Sequence, residues 1–395
     1  MRLAYVCTDP GVPVFGLKGC SVHVREVLRA LLDLGIEVVL FARRFDGDPP
    51  PELEAIPVRR LSRLPKQDDP ERERAAIAAN DALGSELERA GPFDLVYERY
   101  SLWSFAAMDY ARAAGIPGLL EVNAPLIEEQ AEHRQLRDRA AAESASARAF
   151  RSATSLVAVS KEVAEYLRDF TGAADRIHVV PNGVDPQRFE DVAPTLAAEP
   201  GVFTVGFVGS LRPWHGLPIL VDAFARLRAT DRATRLVVVG DGPERSKLVA
   251  DLSTRGLGEA VKLVGPVAPD EVPGWLASLD AAVAPYPNLS HFYFSPLKVY
   301  EYMAAGRALV ASEIGQLREL IEPEVNGLLC PPGDAAAIAI ALGRLRHDPA
   351  LRRRLGRAAR ATIRKGHTWD RVVRRLLALA EVPATKAPRA VGATP

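Results

Sequence analysis

Short apolar runs alternate with longer stretches in which apolar residues recur every third or fourth position. Leu3-Ala4-Tyr5-Val6 reads as a buried strand. Val22, Val24, Val27, Leu28, Leu31 and Leu32 then follow helical spacing, Gly35 stops that helix, and Ile36-Glu37-Val38-Val39-Leu40 returns to a strand. The switch from one period to the other and back predicts a βαβ unit. Further strands are expected at 95–97, 118–122, 155–159 and 177–180, with helices over 73–90, 103–114, 126–149 and 161–170.

The stretch 186–200 holds three prolines and no strand pattern, and reads as a linker. A second series follows it. Strands are expected at 204–208, 235–239, 261–263, 281–284, 308–311 and 327–329, with helices over 217–228, 243–255, 270–278, 296–305, 315–321 and 334–346. Two such sets around a proline-rich interruption argue against an eight-unit barrel. They predict an α/β protein of two facing, doubly wound, Rossmann-like domains, over 1–190 and 200–365. Thr368-Trp369-Asp370 opens a last helix striped by Val372, Val373, Leu376, Leu377 and Leu379. Residues 366–382 are expected to cross back to the first domain, and 383–395, with no core-forming pattern, to form a disordered tail.

Composition narrows the function classes. The chain has 395 residues, 48% of them hydrophobic and 25% charged, which excludes bulk disorder. Lys plus Arg and Asp plus Glu number 50 each, so the basic excess of a nucleic-acid-coating protein is missing. Cys7, Cys20 and Cys330 are too scattered for a disulfide framework or a four-thiolate zinc site. Asp9 and Pro10 interrupt the apolar start, so no signal peptide is expected, and no run is long enough for a membrane span. The expected location is cytoplasmic, with peripheral contact at the inner membrane left open.

Three loops carry candidate chemistry. Gly16 and Gly19 precede a helix expected near Ser21; they fit neither GxGxxG nor GxxxxGK[ST], and either join strand to helix or admit a ligand to backbone amides. Gly209-Ser210-Leu211-Arg212-Pro213-Trp214-His215-Gly216 sits between a strand and a helix, where Arg212 can fork onto a phosphate or stand as a solvated loop charge. In the segment from Ser295 to Gly306, Ser295 can cap a helix with Pro296 at its first position. The amides at 296–298, Leu297 among them, can then meet a diphosphate. Lys298 and Glu301 lie three apart on one face. They form either a surface ion pair or a site in which the carboxylate accepts ribose hydroxyls.

Seven motifs in order carry a resemblance across residues 1–382: GLKG at 16–19, DLVYERYS at 94–101, VAVSKEVAEYL at 157–167, VVPNGVDPQRF at 179–189, VGSLRPWHG at 208–216, VVVGDGPE at 237–244 and SPLKVYEYMAAG at 295–306. The chain resembles the retaining glycosyltransferases of family 4, group 1, which have the GT-B fold. The resemblance implies transfer of a sugar from a nucleotide diphosphate sugar, held by the C-terminal domain, to an acceptor hydroxyl on the N-terminal side. The acceptor would be a small molecule, a saccharide or a lipid-linked sugar; no cofactor, metal or nucleic acid is implied.

Carried over residue by residue, the resemblance makes Glu301 the second glutamate of the family's E-x7-E signature, a ribose ligand. Tyr293 stands where the first glutamate would be. Ser210 and His215 occupy the places of the usual basic pair for the diphosphate, which leaves Arg212 and Lys298 as replacements. Asn123 stands nearest the position of a histidine found beside the donor sugar in many relatives; it can hydrogen-bond but cannot serve as a base. The expected catalytic set is Arg212, Lys298 and Asn123, with donor contacts from Gly16, Gly19, Gly209, Ser210, His215, Ser295, Pro296, Leu297 and Glu301. The departures leave a second reading, a non-catalytic sugar-nucleotide-binding protein of the same fold.

Overall fold

A computed structural model describes residues 1–66, 71–171 and 174–380; the expected tail at 383–395 lies outside the described residues. The described residues form two compact units, one from Met1–Pro181 together with Asp370–Ala380, the other from Asn182–Trp369.

The first unit is built on seven parallel strands: β1 (Arg2–Cys7), β2 (Glu37–Ala42), β3 (Val58–Arg60), β4 (Leu95–Arg99), β5 (Gly118–Val122), β6 (Ser155–Ala158) and β7 (Ile177–Val179). Their order is β3-β2-β1-β4-β5-β6-β7. Ala4 lies beside Val39 on one side and Val96 on the other. The order reverses between β1 and β4, and a crevice opens at such a point beyond the carboxyl ends of the strands.

The second unit repeats the plan with β8 (Phe203–Val208), β9 (Thr234–Val239), β10 (Val261–Gly265), β11 (Ala281–Ala284), β12 (Ala308–Ser312) and β13 (Leu328–Cys330), in the order β10-β9-β8-β11-β12-β13. Its switch point is β8/β11. Alternation along a strand feeds both faces. Leu236 and Val238 enter a core with Leu220, Phe224 and Leu342, whereas Val237 and Val239 enter one with Leu276, Tyr300 and Met303.

Several expectations shift. The stretch 186–200 is anchored on the second unit, and the division between units falls at Pro181–Asn182. Phe189 is buried in that unit's core, and the amides of Thr195 and Leu196 bond the Gly274 carbonyl and Ser278 Oγ. The helix expected over 126–149 is two helices, Leu126–His133 and Arg139–Ser152. Asp138 caps the second by accepting the Ala141 N–H at 2.8 Å. Two elements escaped the pattern: β3, and the helix Pro349–Gly366. The last helix, Trp369–Leu379, belongs from Asp370 on to the first unit, and Ser155 Oγ donates to the Leu379 carbonyl at 3.3 Å. No helix among the described residues is long and apolar enough to cross a membrane.

Candidate functional site

In the second unit the candidate residues gather beyond β8, at the switch point. Gly209 ends that strand at φ 150°, where a Cβ would lie 3.2 Å from Lys298 Cε and 3.4 Å from its Nζ. The loop closes at Gly216, φ 68°, whose Cβ would lie 1.6 Å from the Pro285 carbonyl oxygen. Only glycine permits that conformation and that approach. The Gly209–Gly216 loop is thus pressed between the Lys298 side chain and the segment after β11.

Lys298 is the residue with the least satisfied chemistry. It lies in the first turn of the helix Leu297–Ala304, and its Nζ is buried without a hydrogen-bond partner. The ammonium sits 4.5 Å from the Phe207 ring centroid and 5.4 Å from that of Tyr286. Burial pushes it down to about 7, while Glu301, one turn on, pulls the other way. A buried ammonium beside two aromatic rings and without a hydrogen-bond partner is costly unless an acceptor arrives.

His215 cannot supply a charge here. Burial, then Lys298, then Arg212 hold its pKa down at about 3. Its Nδ1 donates to the Ser210 carbonyl at 2.5 Å, which leaves Nε2 as an acceptor. Arg212 is half-buried with its guanidinium 5.8 Å from the Trp214 ring centroid, and it makes no ion pair among the described residues. Trp214 in turn stacks on Phe294 at 6.2 Å, and Tyr293 packs against Phe294 at 4.3 Å. The position expected for a sugar-binding glutamate therefore belongs to an aromatic cluster.

Ser295 does not cap the helix. Its Oγ accepts the Asn182 N–H at 3.0 Å and its carbonyl accepts Asn182 Nδ2 at 2.7 Å, so it anchors the turn at 182. Pro296 takes the N-cap position, and the helix starts at Leu297. Proline has no N–H, and the Val299 N–H bonds the Pro296 carbonyl. Of the amides first considered, those of Leu297 and Lys298 remain able to meet an anion.

Gly16, Gly19 and Asn123 belong to the first unit. Gly19 opens the helix Gly19–Asp33, two residues earlier than the expected start near Ser21. Asn123 follows β5 and accepts from Arg99 Nη1 at 2.6 Å. Beside it lies a network that sequence reasoning missed. His23 Nε2 meets Glu121 Oε1 at 2.8 Å with both side chains almost wholly buried, and Arg99 Nη1 lies 3.7 Å from Glu121 Oε2. Burial alone would raise the Glu121 carboxyl, but His23 and Arg99 outweigh it and hold the pKa at about 2. The available signal was a histidine and a glutamate in otherwise apolar faces, His23 next to Val24 and Glu121 inside GLLEV.

A small open cleft lies in the same unit, lined by Thr8 and Asp9 after β1, Ser101–Ser104 after β4, the carboxylates Asp9, Glu73 and Glu129, and Arg43, Arg72 and Arg134.

Comparison with known proteins identifies the family. Residues 202–348 match the family described as "Glycosyl transferases group 1", and residues 17–188 match "Glycosyltransferase Family 4". The D-inositol 3-phosphate glycosyltransferase of Acidothermus cellulolyticus is 32% identical over 406 aligned residues, covering 94% of this chain and 85% of that protein. The chain belongs to glycosyltransferase family 4. The enzyme of the same description from Salinispora tropica is 29% identical, over 91% of this chain and 80% of its own.

The fold of this glycosyltransferase is GT-B. A structure of Anabaena Alr3699/HepE in complex with UDP and glucose superposes with a TM-score of 0.73 at 19% identity, covering 96% of this chain and 99% of that one. Sucrose-phosphate synthase from Thermosynechococcus elongatus gives 0.73 at 22% identity, covering 96% and 98%. Within this glycosyltransferase the loop runs from Gly209 to Gly216, and Ser210 and His215 leave it without formal positive charge apart from Arg212.

Proposed function

We propose that the enzyme transfers a glycosyl group from a nucleoside diphosphate sugar to an acceptor hydroxyl, with retention of anomeric configuration and without a metal ion. The second unit would hold the donor and the first the acceptor. The observation that carries this reading is the Lys298 ammonium, buried beside Gly209 with no hydrogen-bond partner. A diphosphate there would satisfy it, together with Arg212 and the Leu297 and Lys298 amides. The complex of the Anabaena protein with UDP and glucose makes uridine the first base to try.

The chemistry follows from where charge develops. As the bond from the anomeric carbon to the phosphate oxygen breaks, its electron pair passes to that oxygen, and the positive groups around the diphosphate gain most at that moment. The acceptor hydroxyl attacks from the face the diphosphate leaves, and its proton passes to the departing phosphate oxygen. No separate base is needed, which agrees with Asn123 standing where a histidine is common. Glu301, by its carboxylate, would accept the ribose hydroxyls. His215 Nε2 would accept a hydroxyl hydrogen from the donor, and Gly16 and Gly19 would let the donor sugar approach the backbone.

The test is a transfer assay with UDP-glucose and a panel of acceptors, with and without EDTA. The expected result is nucleotide release and transfer unaffected by EDTA, with the α-linked product seen by proton NMR. A β-linked product, or activity abolished by EDTA and restored by a divalent ion, would overturn the corresponding part of the proposal.

A further inference from the structure

Four side chains around the carboxyl ends of β4 and β5 form one line of contacts running outward from the interior of the first unit. Innermost is His23, on the helix Gly19–Asp33, whose Nε2 lies 2.8 Å from Glu121 Oε1 and 3.0 Å from Oε2. Glu121 and Arg99 are register partners on β5 and β4, and Arg99 Nη1 stands 3.7 Å from Glu121 Oε2. The same Nη1 donates to Asn123 Oδ1 at 2.6 Å. Exposure rises along the line: the side chains of His23, Glu121 and Arg99 are 2%, 5% and 11% exposed, and Asn123 is half-buried.

Charge settles where the hydrogens are. Burial raises the Glu121 carboxyl, but His23 and Arg99 outweigh it and bring it to about 2, so it is ionised at neutral pH. His23 Nε2 therefore carries a hydrogen. A guanidinium can only donate, so the oxygen of the Asn123 amide must face Arg99 and the nitrogen must point the other way. That nitrogen is poorly held by the protein. It reaches the Glu121 carbonyl only at 3.5 Å, and this carbonyl already accepts the Tyr100 N–H at 2.8 Å. A bond of that length is weak, which leaves the amide hydrogens for a ligand.

We infer that His23, Glu121 and Arg99 are positioning residues that lock Asn123 as a hydrogen-bond donor to an oxygen of the bound sugar. The role of the sugar rests on the transferase reading above; the orientation of the amide rests on the network alone. An unanchored amide presents its oxygen or its nitrogen with similar ease, and only one of the two orientations donates. Stability alone is a poor reason to bury these charges, since desolvation of an ion pair offsets most of its attraction.

Transfer kinetics with UDP-glucose, titration with UDP and melting scans on the full chain test the lock. Asn123→Asp keeps the shape and gains an ion pair with Arg99, but has no N–H to offer. Its melting temperature should equal or exceed that of wild type while kcat falls about tenfold or more and UDP affinity stays the same. Arg99→Met and Glu121→Gln should each lower kcat more than they raise KM, with Arg99→Lys recovering part of the loss. In an Asn123→Ala background, Arg99→Met should cost at most about twofold more in kcat, although it still lowers the melting temperature. Wild-type activity in Asn123→Asp, or the same loss from Arg99→Met with and without the Asn123 amide, would overturn the assignment. Coupling of Arg99 to Asn123 in melting temperature, in a wild type that binds UDP but transfers to no acceptor, would support the lock and remove the transferase reading.

Discussion

At the scale of single residues, Lys298 trades stability for function. Its ammonium is buried, unbonded and held near pH 7, against about 10.4 in an unfolded chain. Between those values the unfolded chain binds a proton that the folded chain does not, so this residue makes stability rise with pH across that window. Below about 7 both states are protonated and the full penalty for the buried charge applies. Lys298→Met should therefore raise the melting temperature at pH 6.5, with the gain shrinking toward pH 10. The same change should weaken UDP binding by about ten- to a hundredfold. In the wild type, UDP affinity should fall as pH rises through 7, because the bound dianion favours the protonated form. Melting scans and titrations at three pH values read all of this, and a variant less stable than wild type at pH 6.5 would contradict it.

At the scale of elements, the loop between β8 and the helix Leu217–Thr230 is closed at Gly216 by a close approach of backbone to backbone, and side chains hold the rest of it. Gly216→Ala would place a methyl group against the Pro285 carbonyl and strain a positive φ. The expected effect is a lower melting temperature for the second unit and a loss of UDP affinity larger than that of Ser210→Ala, a change at an exposed position on the same loop. Equal affinities for the two variants would show that the loop tolerates displacement.

The same contrast explains what the sequence made legible. Strands such as Ala281–Ala284 and Gly118–Val122 were readable because they are buried on both faces and uninterrupted. β3 was not, since it is a three-residue edge strand carrying Arg59 and Arg60. The helix Pro349–Gly366 shows an apolar stripe of Leu351, Leu355, Ala359 and Ile363, but its many arginines read as a basic run. Its start signal was present: Asp348 accepts the Leu351 N–H at 2.8 Å, with Pro349 at the first helical position. The loop glycines and Lys298 were legible from local motifs. The pairing of His23 with Glu121 and the meeting of Arg43, Arg72 and Arg134 were not, because strand order, which brings distant segments together, leaves no local mark.

At the scale of the molecule, chain order and structural membership disagree at the C-terminus. Residues Asp370–Ala380 follow the second unit in sequence but belong to the first. Val373 and Leu376 are 1% and 3% exposed, so their burial contributes to the stability of the unit they complete. Leu376→Ala should cost about 2–5 kcal/mol, the range for removing a buried leucine. The unit that bears this cost should be the first. Hydrogen exchange resolved by segment is the direct measurement: β5 and β6 should exchange faster in the variant, while β8, β9 and β11 keep wild-type protection. UDP affinity should remain within about twofold of wild type, because the donor residues proposed above on the Gly209–Gly216 loop and the helix Leu297–Ala304 lie in the other unit. Loss of protection spread evenly over both sheets would mean that the two units unfold as one, and would refute the separate role assigned to the last helix.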